Sequence, residues 1–101
     1  MIIRMWRGKT SLDNADAYEA FTSKTAGPDY SSITGFKAFY FTRRDHADHA
    51  EFLLITHWES LEAIKQFAGE EYAKAKYYPE DQGFLLDFPE EVEHFEVFDA
   101  G

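Results

Sequence analysis

Residues 57–81, HWESLEAIKQFAGEEYAKAKYYPED, lead from the end of an apolar strand through a short helix into a polar segment rich in tyrosine, and they are the strongest indication of the fold. The strand ends at Trp58, and Ser60 is a residue type that caps helix N-termini. The apolar residues that follow recur at helical spacing: Leu61, Ile64, Phe67 and Ala68. Gly69 predicts the end of this helix, and a second turn of helix is expected before residues 77–79.

The rest of the chain adds one more helix and completes a set of four strands. From their β-branched and aromatic residues, the strands are expected at residues 2–9, 36–43, 50–58 and 92–98. Residues 11–14 offer N-cap chemistry for a helix that ends at Gly27-Pro28. The apolar stripe predicted for this helix is Ala17, Tyr18, Phe21 and Thr25. The loop at residues 44–49 is short and polar, so the second and third strands form a hairpin.

The resulting order, β-α-β-β-α-β, is the ferredoxin-like arrangement of the α+β class, with an antiparallel sheet. A length of 101 residues is enough for one domain, expected over residues 1–101. The net charge is −9, and residues 51–101 hold thirteen acidic but only three basic side chains. Such a surface is repelled by phosphate backbones and anionic lipid, so no nucleic-acid or membrane partner is expected. The chain has no cysteine, no long apolar run and no signal-peptide pattern, which predicts a cytoplasmic protein.

The third strand is apolar on both of its faces. Phe52 and Leu54 have one parity, and Leu53 and Ile55 have the other. Further apolar bulk comes from Phe39, Phe41 and Phe95. Two helices can cover only one face of a four-stranded sheet, and soluble monomers avoid large exposed apolar patches. The sequence therefore predicts a homodimer in which two open sheet faces pack together about a two-fold axis.

Two further stretches matter, RMWRG at residues 4–8 in the first strand and VEHFEV at residues 92–97 in the last. Together with residues 57–81, they resemble the antibiotic biosynthesis monooxygenase family, and the resemblance covers nearly the whole chain. The resemblance implies a dimeric α+β barrel with a ligand pocket in the cleft between sheet and helices of each subunit. It also implies a cofactor-independent monooxygenase, which oxidises an electron-rich aromatic or polycyclic small molecule with dioxygen.

Such a reaction needs a base, a donor that holds the substrate anion, and a dry pocket. His94 is the candidate base, because its ordinary pKa lies near neutrality. Arg4 is the candidate anion stabiliser, and the first and last strands of this topology are neighbours, so His94 can approach Arg4. The aromatic residues expected to stack on a planar substrate are Trp6, Trp58, Tyr77 and Tyr78.

No cofactor or metal is expected. The haem-degrading branch of the family that the chain resembles uses a His, an Asn and a Trp, and an approximate alignment places Tyr77, Trp6 and Phe67 at those positions. No phosphate-binding glycine loop is present. The His-rich residues 45–49 are interpreted as a solvated turn, because closed metal sites need ligands held by a second shell.

Two other functions stay open from the residues. One is a non-catalytic dimeric module, either structural or binding a small ligand. The other is an isomerase or lyase on the same barrel, with His94 moving the proton. Fold alone does not choose among them. A packed cleft favours the structural module, whereas an apolar cavity lined by Arg4 or His94 favours chemistry.

Overall fold

Four strands form one antiparallel sheet in a computed structural model that describes all 101 residues. The strands are β1 (Ile2–Thr10), β2 (Phe36–Asp45), β3 (Ala50–Trp58) and β4 (Glu93–Glu96), and their order across the sheet is β2-β3-β1-β4. The helices are α1 (Ala15–Ser31), α2 (Leu61–Ala68) and a 3-10 helix at Pro79–Gly83. The predicted ferredoxin-like α+β fold is confirmed. No helix has the length and apolar character needed to cross a membrane.

The two central strands alternate strictly between a face covered by the helices and an open face. On β1, the covered face carries Arg4, Trp6, Gly8 and Thr10. A Cβ atom at Gly8 would lie 2.0 Å from the Trp6 ring, so only glycine lets this indole lie flat along its own strand. The pair Trp6 and Gly8 thus fixes the position of the largest side chain on β1.

The helix α1 does not end at Gly27-Pro28 as predicted, but continues to Ser31. Proline inside a helix costs about 3 kcal/mol, because it removes one hydrogen bond and crowds the preceding turn. The last turn is held instead by tertiary packing and by a side-chain hydrogen bond within the helix. Tyr30 is buried, and the centroid of its ring lies 4.6 Å from the centroid of the Phe67 ring. Ser31 Oγ donates a hydrogen bond to the Gly27 carbonyl at 2.9 Å. The predicted apolar stripe was also wrong at Ala17, which is exposed.

The segment after α2 contains a turn at residues 72–73 but no helix, so the predicted second turn of helix was wrong. Gly69, at φ 86°, ends α2 as expected. Ala75 N–H then donates to the Glu90 carbonyl, and Val92 N–H donates to the Ala73 carbonyl, both at 2.8 Å. This pairing uses backbone groups that a helix would bond internally. The last strand is also shorter than the predicted residues 92–98, since β4 covers only Glu93–Glu96.

The open face of the sheet carries no helix and is apolar at its centre. The register places six large apolar residues on it: Ile3, Met5, Tyr40, Leu53, Ile55 and Phe95. Tyr40 is 56% exposed and Phe95 is 50% exposed. Phe39 and Phe41 lie on the covered face instead, because Phe41 pairs with buried Leu54.

The covered face holds two separate core clusters. One packs β1 and β3 against the start of α1 and includes Trp6, Tyr18 and Phe52. The other packs the end of α1 against α2 and includes Tyr30 and Trp58. A seam runs between the clusters, and the candidate site lies in this seam.

Candidate functional site

A cavity of about 30 Å³ lies in the seam under α1. Half of its twelve lining residues are aromatic and three are Arg, Lys or Asp; the lining residues are Arg4, Trp6, Tyr18, Phe21, Thr22, Ala26, Tyr30, Leu54, Lys76, Tyr77, Tyr78 and Asp81. This volume suits one or two water molecules. It is far below the roughly 300 Å³ at which small-molecule pockets begin.

A larger groove adjoins this cavity between α1 and the edge of the sheet. The groove has a volume of about 250 Å³, and Phe41, Phe52 and Leu54 form its apolar floor. Thr22 and Leu54 line both spaces, so these two side chains separate the cavity from the groove. The two spaces together approach the size of a small-molecule pocket.

Arg4 is a buried cation without a carboxylate partner. It is only 4% exposed, and no Asp or Glu oxygen lies within 4 Å of it. One nitrogen, Nη2, donates to the Lys74 carbonyl at 3.2 Å, while the buried Nε makes no hydrogen bond. Burial lowers the pKa of Arg4, because the charged guanidinium has lost its water. Buried charges are normally paired, so this one is an unusual feature of the cavity wall.

A second unpaired cation lies beside the first. Lys76 lines the cavity and forms no ion pair. Its Nζ lies 4.3 Å from the centre of the Phe67 ring, and the Arg4 guanidinium carbon lies 5.6 Å from the same ring. Phe67 thus holds both cations by cation–π contact. Two cations against the single carboxyl of Asp81 leave the cavity wall with a net positive charge, which favours an anion inside.

A short hydrogen-bonded chain fixes two aromatic residues of the cavity wall. Trp6 Nε1 donates to the Tyr77 hydroxyl at 3.2 Å, and that hydroxyl donates in turn to the Pro89 carbonyl at 2.5 Å. The two rings meet edge to face, with centroids 6.1 Å apart. Burial raises the pKa of Tyr77, so its hydroxyl stays protonated at neutral pH and donates.

We expect Tyr77→Phe to destabilise the protein by about 1–3 kcal/mol, because Trp6 Nε1 and the Pro89 carbonyl both lose a partner while partly buried. Urea denaturation followed by tryptophan fluorescence measures the loss. Tyr72→Phe is the matched control, since the Tyr72 hydroxyl makes no hydrogen bond, and it should change stability by less than about 0.5 kcal/mol. Equal losses in the two variants would contradict a role for this hydrogen-bonded chain.

Asp81 is a buried carboxyl in the cavity wall that the sequence reasoning missed. It is 4% exposed, and its Oδ2 accepts a 2.7 Å hydrogen bond from Tyr78 N–H at the start of the 3-10 helix. Desolvation raises the pKa of Asp81, and the nearby charge of Glu80 adds to the shift. The available signal was the spacing of Pro79 and Asp81 after Tyr78, which is typical of a capped helical turn.

Trp58 and His94 were predicted in the site but do not line the cavity. Trp58 is fully buried in the second core cluster, where its Nε1 donates to Thr56 Oγ1 at 2.8 Å. His94 pairs with Arg4 in the β1–β4 register, as expected, but its ring packs against Tyr72 with centroids 5.5 Å apart. Its Nε2 is buried and makes no hydrogen bond.

Burial lowers the pKa of His94, and the charge of Arg4 lowers it further. A histidine whose folded pKa is depressed favours folding above its ordinary pKa of 6.5, and this contribution is lost as pH falls through the folded value. We therefore expect the wild-type protein to lose more unfolding free energy between pH 7 and pH 5 than His94→Gln does. Urea titrations at both pH values provide the test. The same loss in both proteins would show that His94 does not couple folding to pH.

The tip of the β2–β3 hairpin gathers two histidines. The rings of His46 and His49 stack with centroids 4.5 Å apart. His46 Nε2 lies 2.8 Å from Glu51, and His49 Nδ1 lies 2.7 Å from Asp48. Each ring is thus held by its own carboxylate, and no group of three or more His, Asp or Glu side chains in the chain has a geometry that could hold a metal ion.

The amino-acid sequence of the chain matches the profile of one protein family. The profile described as "Antibiotic biosynthesis monooxygenase" matches residues 1–76, three quarters of the chain. The chain belongs to this family. The match includes Arg4, Trp6 and Lys76 but ends before Tyr77 and Asp81. No curated protein matches this antibiotic biosynthesis monooxygenase family member at a significant level.

Solved structures similar to this family member share its fold at low sequence identity. A protein of unknown function from Nitrosomonas europaea is 15% identical, with a TM-score of 0.68 over 99% of this chain and 91% of that one. The haem degrader MhuD from Mycobacterium tuberculosis, solved with two haems in its active site, is 20% identical, with a TM-score of 0.61 over all of both chains. SnoaB, a cofactor-independent oxygenase from Streptomyces nogalater, is 13% identical, with a TM-score of 0.60 over 98% and 95%.

The residues of this family member do not fit a haem. No histidine lines the cavity or the adjoining groove. The Tyr77 hydroxyl is already engaged by Trp6 and Pro89, and the cavity is far smaller than a porphyrin. The approximate alignment places three residues at the His, Asn and Trp positions of the haem-degrading branch: Tyr77, Trp6 and Phe67. Here these side chains make contacts with other residues of the chain.

Proposed function

We propose that this protein is a cofactor-independent monooxygenase that oxidises an electron-rich aromatic small molecule with dioxygen, and that the substrate reacts as its anion. The observation that carries the proposal is the buried, unpaired guanidinium of Arg4 at the edge of an aromatic-lined cavity. Membership of the antibiotic biosynthesis monooxygenase family supports the reaction class. The similarity in fold to SnoaB, a cofactor-independent oxygenase, is consistent with it.

The energetics of Arg4 favour an anionic ligand. An unpaired charge taken out of water costs several kcal/mol. A phenolate or enolate oxygen near Nε would give that nitrogen its missing partner and offset the cost. Lys76 would add a second positive charge, although it is more exposed and therefore contributes less.

The chemistry needs no resident redox group, because the substrate supplies the electrons. For an anthrone, a base removes one proton from the CH₂ group, and the carbanion transfers one electron to dioxygen. The radical pair combines to a peroxide, which loses water to leave a carbonyl group. One oxygen atom of O₂ enters the product and the other leaves as water. Stabilisation of the first anion by a preorganised cation lowers the barrier to proton removal.

The size of the two spaces suggests how such a substrate would bind. A planar ring system is too large for the cavity of about 30 Å³ but matches the apolar floor of the groove. The end of the substrate that carries the acidic group would then displace the side chains of Thr22 and Leu54, which separate the groove from the cavity. That group could then approach Arg4. Trp6, Tyr77 and Tyr78 would form the inner wall against which the reacting ring stacks.

The proposal includes a homodimer built on the open sheet face. Ile3, Met5, Leu53 and Ile55 form the centre of an apolar surface that no other element of the chain covers. A second copy about a two-fold axis is the simplest cover, since the same patch serves both partners. An interface of this kind buries on the order of 2,000 Å² or more. The dimer would leave the cavity open, because the cavity lies on the other face.

The small cavity favours one competing function, a non-catalytic dimeric module. In that case Trp6, Tyr18 and Tyr77 simply complete the core. The test is oxygen uptake by the purified protein with 1,8-dihydroxy-9-anthrone, together with detection of the anthraquinone product. Product formation well above the rate without protein supports the oxygenase. If the anthrone binds without oxygen uptake, as judged by tryptophan fluorescence, the protein is a binding module, and an absence of binding would favour the structural role.

A further inference from the structure

We infer that Asp81, and not His94, is the base that removes the substrate proton in the proposed reaction. The inference rests on the proposed function and adds a catalytic residue to it. Asp81 is the only Asp or Glu among the residues that line the cavity, and His94 is not among them. It therefore shares one space with Arg4 and Lys76, where the substrate anion would form.

The two carboxylate oxygens of Asp81 have different environments. Oδ2 is engaged by Tyr78 N–H at 2.7 Å, which fixes the orientation of the side chain. Oδ1 makes no hydrogen bond within the chain and keeps accessible surface, although the residue as a whole is 4% exposed. One oxygen is thus held in place while the other stays free to accept a proton. A base must have this property to react in a dry pocket.

The charges around Asp81 suit proton transfer. Before the transfer, the carboxylate carries the negative charge, and afterwards the substrate carries it close to Arg4. Burial raises the pKa of Asp81, which makes the carboxylate a stronger base than an exposed aspartate. The other ionisable groups that line this space or act on Asp81 are Tyr18, Tyr30, Lys76, Tyr77, Tyr78 and Glu80. Burial keeps the pKa values of Tyr18, Tyr30, Tyr77 and Tyr78 high, so these hydroxyls stay neutral at pH 7.

The proton path balances within the reaction. Asp81 takes one proton from the CH₂ group of the anthrone and becomes a neutral acid. After dioxygen has added, the peroxide anion takes this proton back, and loss of water from the hydroperoxide gives the carbonyl product. The carboxylate is regenerated, so Asp81 is not consumed. His94 has no part in this path, since its ring packs against Tyr72.

Asp81→Asn distinguishes the catalytic role of Asp81 from its role as a helix cap. The amide oxygen can still accept a hydrogen bond from Tyr78 N–H, but it cannot take the substrate proton. The reaction is followed without oxygen, as exchange of the C10 protons of 1,8-dihydroxy-9-anthrone for deuterium in D₂O. We expect the protein-catalysed exchange to fall by at least about 10²-fold in Asp81→Asn, the usual contribution of a positioned base. The affinity of this variant for 1,8-dihydroxyanthraquinone should stay within about threefold of the wild-type value, since Arg4 and Lys76 are unchanged.

The control is Asp13→Asn, the same carboxyl-to-amide change at an exposed residue just before α1. It should leave exchange within about twofold of wild type. Asp81→Asn should melt at or above the wild-type temperature at pH 7, because the amide replaces a buried carboxylate whose pKa is raised. Should the variant fail to fold, the wild-type pH profile decides, and catalysed exchange should decline on acidification with a midpoint above the ordinary aspartate value of about 3.9.

The outcomes are distinct. Full exchange in Asp81→Asn, loss of exchange only in His94→Gln, or binding of the anthrone by the wild-type protein without any catalysed exchange would each overturn the inference. Exchange that depends on Asp81 without oxygen uptake would refute the oxygenase but keep the base. Such a result would point to proton-transfer chemistry on the same site.

Discussion

Arg4→Met will lower turnover of an anionic aromatic substrate by about 10²- to 10³-fold, the usual cost of removing one preorganised charged donor. The same change should leave the unfolding free energy unchanged or raise it. Methionine fills a similar volume without placing an unpaired charge in the core, and this gain offsets the lost hydrogen bond to the Lys74 carbonyl. Oxygen uptake with 1,8-dihydroxy-9-anthrone and urea denaturation measure the two effects.

Two further variants sharpen this expectation. Arg4→Lys keeps the charge but loses the planar fork, so its turnover should lie between those of wild type and Arg4→Met. Lys24→Met removes a charge from the exposed side of α1 and should change neither property. If Arg4→Met lowers stability by several kcal/mol while turnover and binding persist, Arg4 is a structural residue and the anion site does not exist.

Ile55→Asp will convert the proposed dimer to a monomer at micromolar concentration. Ile55 lies at the centre of the open face, between Met5 on β1 and Tyr40 on β2. A two-fold axis places two copies of the new carboxylate in one apolar interface, where each is desolvated without a partner. A penalty of about 4 kcal/mol or more corresponds to at least 10³-fold weaker association. Light scattering or sedimentation at several concentrations measures the change.

The matched control introduces the same charge on an exposed helix surface. Ala17→Asp lies on the solvent side of α1, away from the sheet, and should leave the dimer intact. A wild-type mass near 11.7 kDa would contradict the dimer outright. A dimeric Ile55→Asp protein would place the interface on another surface.

The order of elements could be predicted from the sequence because it depends on local patterns. Strand β3 was predicted with its observed bounds, since nine residues of strand-forming character end at Trp58 and a capped helix follows at once. The Ser60 cap and the Gly69 stop gave the observed bounds of α2 for the same reason. The family resemblance, carried by residues spread from β1 to β4, was confirmed by the profile match over residues 1–76.

The predictions of secondary structure were wrong where tertiary contacts outweighed the local conformational preference of the residues. Gly27-Pro28 is a helix-ending pair by propensity, but burial of Tyr30 against Phe67 keeps α1 intact. A second turn of helix was expected before residue 77, but residues 73–75 pair with residues 90–92 instead. That segment presents the Lys74 carbonyl to Arg4 and Lys76 to the cavity, so the unpredicted backbone shapes the candidate site.

The α+β fold, the two-sided apolar sheet and two residues of the candidate site, Arg4 and Trp6, follow from local patterns, because alternation along a strand assigns residues to a face. The neighbours of those side chains depend on how the whole chain folds. The tertiary structure brings Asp81 from the 3-10 helix, far along the chain from Arg4, into the cavity, turns His94 toward Tyr72, and leaves Arg4 without a carboxylate. The physical reason is that a strand face depends on a two-residue period, whereas the pairing of a charge depends on loops whose path is set by contacts far apart in the chain.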